Sequence, residues 1–348
     1  MRIRIEAANR AVGVEAGRIV SSDGGFDVTL SIPDGEVRPG LINAHDHLHR
    51  NHYGRLGAPP YPNAYAWGRD VQTRFAHRIA ERRAVPRREA LLEGAWKNLF
   101  AGVTTVVHHD PWEADFERGF PIRVVRVRVA HSLGFERDFA RAAAPDPDDP
   151  ERPLSVQVAE GIDALSADEV RELDRGGWLD ERMLAAHLVG ADVDGIRRLR
   201  ASGAAVIWCP SSNLFLFGRT ARAELLAPGI DVMIGSDSLL TAAGTLLDEL
   251  RCARVRGLVG DARLLDAVGA TAARRLRLPE PSLEPGAPAD LAVFRRPVLE
   301  AGARDVALVM VDGEVRVADP ALGPELDLLG LDPQPMVAYG VTRRVAIV

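Results

Sequence analysis

The sequence predicts an α/β fold: a (β/α)8 barrel of the TIM type, with one strand irregular or missing, beside a small composite β-sandwich built from both chain termini. Three observations predict it. Between Leu41 and Asp237, seven short apolar runs alternate with helical stretches, as parallel strands joined by crossover helices do. The stretch from about Pro39 to Pro281 comes close to the roughly 250 residues typical of such a barrel. Both ends of the chain follow the two-residue period of strands instead.

From Met1 to about Pro39, alternating runs are broken by Gly-Arg, Asp-Gly-Gly and Pro-Asp-Gly, which reads as a few antiparallel strands joined by tight turns. The barrel strands are then LINAHDH from Leu41, Val103–His109, Ile122–Ala130, Leu154–Gly161, Met183–Gly190, Ala204–Pro210 and Ile230–Asp237. The segment between Ala130 and Leu154 is too short for a further complete unit, so the eighth strand is hidden in the arginine-rich run Ile122–Ala130 or absent. AAAPDPDDPERP within that segment reads as an exposed loop. Pro86 opens a periodic segment that ends at Phe100 with Gly102 just past it, and Ser166 with Glu169 has the spacing of a capping box. Near Leu283 the alternation returns in ADLAVF and VALVMVDGEVRV, with Asp312-Gly313 as a hairpin turn. Residues 1–38 and 283–348 are therefore expected to form the sandwich, and 39–282 the barrel.

Composition narrows the partners. The 348 residues are 47% hydrophobic and 26% charged, with a net charge of −6, which is ordinary for a globular protein with a sizeable core. No basic run gives an electrostatic footprint for nucleic acid or an anionic membrane, so a small molecule is the expected partner. No apolar stretch approaches the roughly 20 residues that span a bilayer. The N-terminus lacks the apolar core of a signal peptide, and a cytoplasmic location is expected. Cys209 and Cys252 lie far apart and form no CxxC pair, which suggests neither a disulfide framework nor a thiolate zinc site. A homodimer is the default expectation.

In Ala44-His45-Asp46-His47 the two histidines are two apart on a strand, so both imidazoles share a face. At the C-terminal end of a barrel strand that face points into the active site, and two such nitrogens suit zinc or iron. Asp237 ends the last clear strand, within IGSDS. Alone it would be a helix cap; its position after the final strand, opposite the two histidines, makes it a candidate for the same site. His187 closes the strand AAHLVG among apolar neighbours, where a lone histidine is more often a core residue. Its place at a strand end makes it a site residue. Glu160 ends LSVQVAEG, and a carboxylate in a partly dry pocket can act as a proton shuttle. His108, His109, Asp110 and His131 also end strands and could border the cavity. His49 and His52 are expected at its mouth or on the surface. Tyr61 and Trp67, in the loop after the first strand, could stack on a flat substrate. Neither GxGxxG after a strand nor a cofactor-lysine pattern suggests redox chemistry.

Taken in order, PGLINAHDHLH, GVTTVVHHD, VAEG, AAHLVG, WCPSSNLFLFG and IGSDS resemble the amidohydrolase superfamily, in its triazine hydrolase and cytosine deaminase-like branch. The resemblance covers nearly the whole chain, because EPGAPADLAVF and VMVDGEV look like the C-terminal part of that family's terminal sandwich. It implies one divalent transition metal, zinc first and iron second, held by His45, His47 and Asp237 with His187 as a further ligand or as a partner of the hydrolytic water. It implies Glu160, His187 and Asp237 as catalytic groups, with Asp237 taking a proton from the metal's water, and Asn213 in the SSN loop as a pocket residue; with Tyr61, Trp67, His109 and Gln157, Asn213 completes the expected substrate-binding set. The single lysine, Lys97, falls in the helix before Gly102, so the binuclear form of the family with a carbamylated strand lysine does not fit. One departure matters: the family's metal-binding histidine three residues before the glutamate falls on Gln157, a neutral oxygen donor and a poor substitute for imidazole.

The expected activity is hydrolysis of a carbon–nitrogen bond other than a peptide bond, namely deamination of a small amino-substituted heterocycle by a metal-activated water. Amide or lactam hydrolysis would use the same parts. A different class of reading is a catalytically impaired protein that keeps the fold for binding because Gln157 replaces a ligand. The presence of Glu160, His187 and Asp237 together argues against it, since a site without chemistry has no use for all three.

Overall fold

The computed structural model describes residues 1–346, so Ile347 and Val348 of the expected sandwich segment lie outside the described residues. The N-terminal strands are β1 (Arg2–Ala7), β2 (Ala11–Glu15), β3 (Arg18–Val20), β4 (Val28–Ile32) and β5 (Glu36–Pro39). The first four form one sheet in the order β3-β2-β1-β4. The sequence suggested antiparallel pairing throughout, but β1 and β4 run parallel, because β2 and β3 pair off on the far edge and leave β4 to return alongside β1. β5 leaves this sheet and pairs antiparallel with a strand from the far end of the chain.

The central strands are β6 (Leu41–Asp46), β7 (Val103–His108), β8 (Arg123–Val125), β9 (Arg128–Ala130), β10 (Leu154–Val158), β11 (Met183–His187), β12 (Ala205–Trp208) and β13 (Val232–Ile234). All their pairings are parallel, in sheets ordered β6-β7-β8 and β13-β12-β11-β10-β9. Each predicted run supplies strand, and the irregular one is Ile122–Ala130, which breaks into β8 and β9 at Arg126 and Val127. The break follows from its arginines. Arg123 has one phase of the strand and Arg126 and Arg128 the other, so a regular ladder would turn one set inward. Instead Arg123 reaches Asp290, Arg126 lies over Trp112, and Arg128 donates to the carbonyls of Ala143 and Arg152. No additional strand lies between β9 and β10 among the described residues, since the two pair directly. The last strand returns to the first: the Asp237 N–H donates to the His45 carbonyl at 2.9 Å. That approach requires Gly235, where a Cβ would stand 2.6 Å from the His45 Cβ.

The helices that position the site are α1 (Ala64–Arg74), α2 (Ala76–Arg83), α3 (Arg87–Leu99), α4 (Phe139–Ala142), α5 (Ala164–Arg175), α6 (Val193–Ser202), α7 (Pro210–Phe217) and α8 (Leu246–Arg256). α3 starts at the residue after Pro86, and Gly102 follows it with φ +74°, as its sequence predicts. The capping-box reading of α5 is corrected. Its cap is Asp163, whose side chain accepts from the Ser166 N–H, which frees Glu169 for a different task described below.

The C-terminal strands are β14 (Leu291–Phe294), β15 (Val306–Val311), β16 (Glu314–Ala318), β17 (Gln334–Ala338) and β18 (Val341–Val345). With β5 they make a six-stranded sheet ordered β17-β18-β16-β15-β14-β5. The Asp312-Gly313 turn has φ +50° and +77°, the left-handed pair that a two-residue hairpin needs. This sheet has two buried faces. Val306, Val309 and Val311 join the core of the parallel strands, while Ala307, Leu308 and Met310 join the core shared with β1–β4. VALVMV therefore reads as continuously apolar.

The junction of the two cores is tight at Gly102, where an added Cβ would overlap the Phe294 ring. Alanine there costs about 1–2 kcal/mol for the left-handed backbone and about 1–3 kcal/mol for overpacking. Gly102→Ala is expected to lower the urea unfolding free energy by about 2–5 kcal/mol. A loss within experimental error would show that Phe294 moves aside freely.

Candidate metal centre

The strand ends converge. His45 and Asp46 close β6, His47 follows it, and Asp237 lies three residues beyond β13. One ligand atom from each of His45, His47 and Asp237 lies within 4.8 Å of the others, and all three side chains are buried. His187, at the end of β11, places its ring centroid 5.4 Å from that of His45. Its Nε2 faces Glu160 Oε1 at 3.8 Å. The backbone leaves the ladder in the left-handed region at three of these ends: Ala159 (φ +51°), His187 (φ +72°) and Asp237 (φ +53°). Such non-glycine conformations cost energy and cluster where a side chain must be aimed.

Hydrogen bonds assign the protons. His47 Nδ1 donates to Asp110 Oδ2 at 2.6 Å, so its Nε2 keeps the lone pair and faces Asp237 Oδ1 at 3.9 Å. His187 Nδ1 donates to Asn213 Oδ1 at 3.0 Å, which leaves its Nε2 likewise unprotonated. His45 has neither ring nitrogen paired among the described residues, although both are buried. Leaving buried polar atoms unmet is costly, and a cation between His45, His47 and Asp237 would satisfy the lone pairs that remain. The donor set fits a transition metal.

The electrostatics follow from burial and neighbours. Burial, with His47 and His187 alongside, depresses the His45 imidazole well below its usual range and keeps it neutral. Burial alone would raise the Asp237 carboxyl, but His47, His187 and the donors from Ser212 and Ser238 hold it down at about 2. Its Oδ2 accepts from the Ser212 and Thr241 hydroxyls at 2.7 and 3.1 Å, and its Oδ1 from the Ser238 N–H at 2.6 Å. Burial lifts Glu160 to about 7, against the pull of His187. One carboxylate is thus fixed as an anion while the other can hold or release a proton near neutral pH.

Residues 155–316 match the sequence profile of the amidohydrolase family. The chain is 30% identical over 173 residues to the 5-methylthioadenosine/S-adenosylhomocysteine deaminase of Pyrococcus furiosus, covering 42% of this chain and 41% of that one. It is 34% identical over 184 residues to the 8-oxoguanine deaminase of Pseudomonas aeruginosa, covering 46% and 40%. The chain thus spans about half the length or less of these curated relatives. Among solved structures it resembles a zinc-bound adenosine deaminase from Xanthomonas campestris, with TM-score 0.70 and 19% identity over 94% of this chain and 98% of that one. It resembles a triazine hydrolase from Arthrobacter aurescens with TM-score 0.69 and 20% identity, over 94% and 99%. The match to the amidohydrolase family profile takes in just under half of the chain.

The converging strand ends form the floor of a cavity of about 500 Å³. Of the expected substrate-binding residues, Trp67 and Gln157 line it together with Glu160, Asp237 and Phe135. The Gln157 amide nitrogen approaches His47 Nε2 at 3.2 Å, at the very lone pair a metal would use. Tyr61 is turned away: its hydroxyl accepts from the Ala58 N–H and donates to Asp70 Oδ2, at 2.6 and 2.5 Å. His109 is fully buried beside His45, its Nδ1 paired with Ser155 Oγ at 2.9 Å and its Nε2 facing the His131 carbonyl at 3.4 Å. Asn213 is also fully buried and orients His187. His49 and His131 reach the cavity. His52 does not, and its Nε2 donates to the Arg82 carbonyl at 2.9 Å.

A second cluster, His49, His108 and Asp110, has metal-like spacing but the wrong protons. His108 Nδ1 accepts from the Leu48 N–H at 3.1 Å, so its Nε2 carries the hydrogen and offers no lone pair. Asp110 is occupied by Arg50 and His47, each at 2.6 Å. Burial opposes its ionisation, but Arg50 and His47 outweigh burial and hold the carboxyl well below its usual range.

Three buried groups escaped the sequence reading because only tertiary structure brings them to the site. Glu169 accepts the Ala159 N–H at 2.6 Å and the Tyr65 hydroxyl, pinning the left-handed residue before Glu160. Lys97 reaches the Asp237 backbone. Glu249 on α8 accepts from the Ser211 N–H at 2.9 Å and from its hydroxyl, steadying the start of α7 that carries Ser212 and Asn213. Burial lifts Glu249 to about 8. A carboxyl raised on folding stabilises the fold fully below its unfolded value of 4.5 and loses that contribution as pH climbs to about 8. Glu249→Gln, which cannot ionise, is therefore expected to gain thermal stability relative to wild type between pH 5 and about 8.5. Calorimetry that finds a pH-independent difference would refute the perturbed carboxyl.

Proposed function

We propose that this chain is a mononuclear metal-dependent hydrolase that deaminates a small amino-substituted heterocycle. The observation that carries the reading is the pairing of a neutral, unpartnered buried His45 with His47 Nε2 and an ionised Asp237, next to a carboxyl poised near neutrality at Glu160. In this reading the two parallel sheets are the wall of one barrel over residues 39–282, and residues 1–38 and 283–348 form the companion β domain.

His45, His47 and Asp237 would hold the ion, zinc before iron. A divalent metal bound there supplies Lewis acidity, lowering the pKa of a water from 15.7 to about 7. Asp237 remains anionic at neutral pH and can accept a proton through Oδ1. Glu160 would give one proton to the ring nitrogen, and the second proton of the attacking water, held by Asp237, would pass to the departing amino group so that ammonia leaves; the first transfer needs a carboxyl that exchanges protons near pH 7. His187 sits against Glu160 and moderates the effect of burial on it. Trp67 and Phe135 offer flat apolar faces at the mouth, suited to an aromatic ring. The named deaminases among the relatives support this substrate class, and the assembled acid and base groups weigh against a binding-only role.

Elemental analysis of the purified protein after zinc reloading should find about one equivalent per chain, and a panel of aminopurines, aminopyrimidines and aminotriazines should release ammonia. Glu160→Gln is expected to lower kcat by about 10²–10⁴-fold with zinc content intact; joint loss of zinc and activity would place Glu160 among the ligands instead.

Gln157 sets the affinity. Its amide can turn a carbonyl oxygen toward the ion, a weaker donor than imidazole. Gln157→His should tighten zinc binding in chelator competition, and unchanged affinity would remove Gln157 from the metal's surroundings.

A further inference from the structure

Lys97 is the only lysine in the chain, and arginine fills every other one of the 43 basic positions. It is fully buried on α3, behind the metal centre. A buried ammonium is tolerated only when its donors are met, and here all three find acceptors: the Asp237 backbone carbonyl, Asn51 Oδ1 at 3.0 Å and Asp46 Oδ2 at 3.3 Å. Each acceptor belongs to a segment that carries a ligand. Asp46 stands between His45 and His47. Asn51 lies in the turn after His47 and also accepts from the Leu239 N–H at 3.0 Å. The Asp237 carbonyl belongs to a residue with φ +53°, whose N–H is already held by the His45 carbonyl.

We propose that Lys97 is the positioning residue of the metal centre, a three-way clamp that fixes the left-handed Asp237 backbone against the His45–His47 strand end so that the three ligands are assembled before the ion arrives. The proposal rests on the metal-centre reading above. It accounts for a lysine in a chain that otherwise uses arginine. A compact ammonium can point three donors at three converging acceptors, whereas a planar guanidinium with five donors would leave some unmet in a closed space.

Zinc alone is the probe. In chelator-competition titrations, Lys97→Met is expected to weaken zinc binding about 10–100-fold, and Lys97→Gln, whose amide still donates to the Asp237 carbonyl, to recover part of the loss. Thermal melts separate positioning from plain structural support: a structural contact lowers Tm equally with and without zinc, whereas positioning also shrinks the rise in Tm that zinc produces. A single lysine also allows a test without mutation. Nitrogen-15 lysine labelling gives one side-chain ammonium resonance, expected to shift on zinc addition and saturate at one equivalent; this measurement decides alone if Lys97→Met does not fold. Wild type that binds zinc while the resonance stays fixed, or Lys97→Met that binds within about twofold of wild type, overturns the proposal. Wild type that takes up no zinc overturns the metal-centre reading itself.

Discussion

The site depends on strand ends that break away from their ladders in a conformation non-glycine residues avoid. Ala159, His187 and Asp237 all take positive φ, each at a cost of about 1–3 kcal/mol. None is free to relax. The Ala159 N–H is held by Glu169, the His187 ring by Asn213, and the Asp237 peptide by the His45 carbonyl on one side and Lys97 on the other. The strain is balanced by buried polar groups, three of them on helices behind the strands, and the result is a set of side chains aimed at one point.

This arrangement explains why so many polar residues are buried near the parallel strands. Asn43, Asp46, Asn51, Lys97, Asn98 and Ser236 form a continuous hydrogen-bonded cluster under the site. An apolar filling would be easier to desolvate, but it could not grip backbone carbonyls or fix the turn after His47. A fully satisfied polar network specifies one arrangement, whereas a partly satisfied one would be a liability. Glu249 extends the same logic outward, holding the α7 start that brings Ser212 to Asp237 and Asn213 to His187.

What the sequence disclosed divides along the range of the interactions involved. The strand runs, the α3 segment after Pro86 and the Asp312-Gly313 hairpin depend on local periodicity and turn chemistry, and they lie where the sequence places them. So does the gathering of His45, His47 and Asp237, because strand-end positions in a parallel sheet share one face. The irregular strand was visible as an arginine-rich run, and its break follows from the phase of Arg123 against Arg126 and Arg128. Spacing misled at Ser166 and Glu169, which have the separation of a capping box although Asp163 caps the helix and Glu169 turns inward to Ala159. Tyr61 and His109 occupy the right neighbourhood, yet their polar atoms are committed to other residues, a matter of side-chain direction that no linear pattern encodes. Lys97 was legible only as a count. That it stands behind Asp237 depends on a contact across 140 positions of chain.

The two histidine clusters show why proton position decides more than spacing. His45, His47 and Asp237 and, beside them, His49, His108 and Asp110 satisfy the same distance condition. In the second cluster the backbone N–H of Leu48 claims the lone pair of His108, and Arg50 claims an oxygen of Asp110. Those commitments serve the first cluster. Arg50 keeps Asp110 anionic, the anionic Asp110 accepts a hydrogen bond from the His47 Nδ1–H, and His47 is then obliged to present an unprotonated Nε2 to Asp237 and the cavity. A ligating histidine whose other nitrogen donates to a carboxylate has both its tautomer and its ring plane fixed. The outer cluster thus sets the protonation of the inner one and needs no ion of its own.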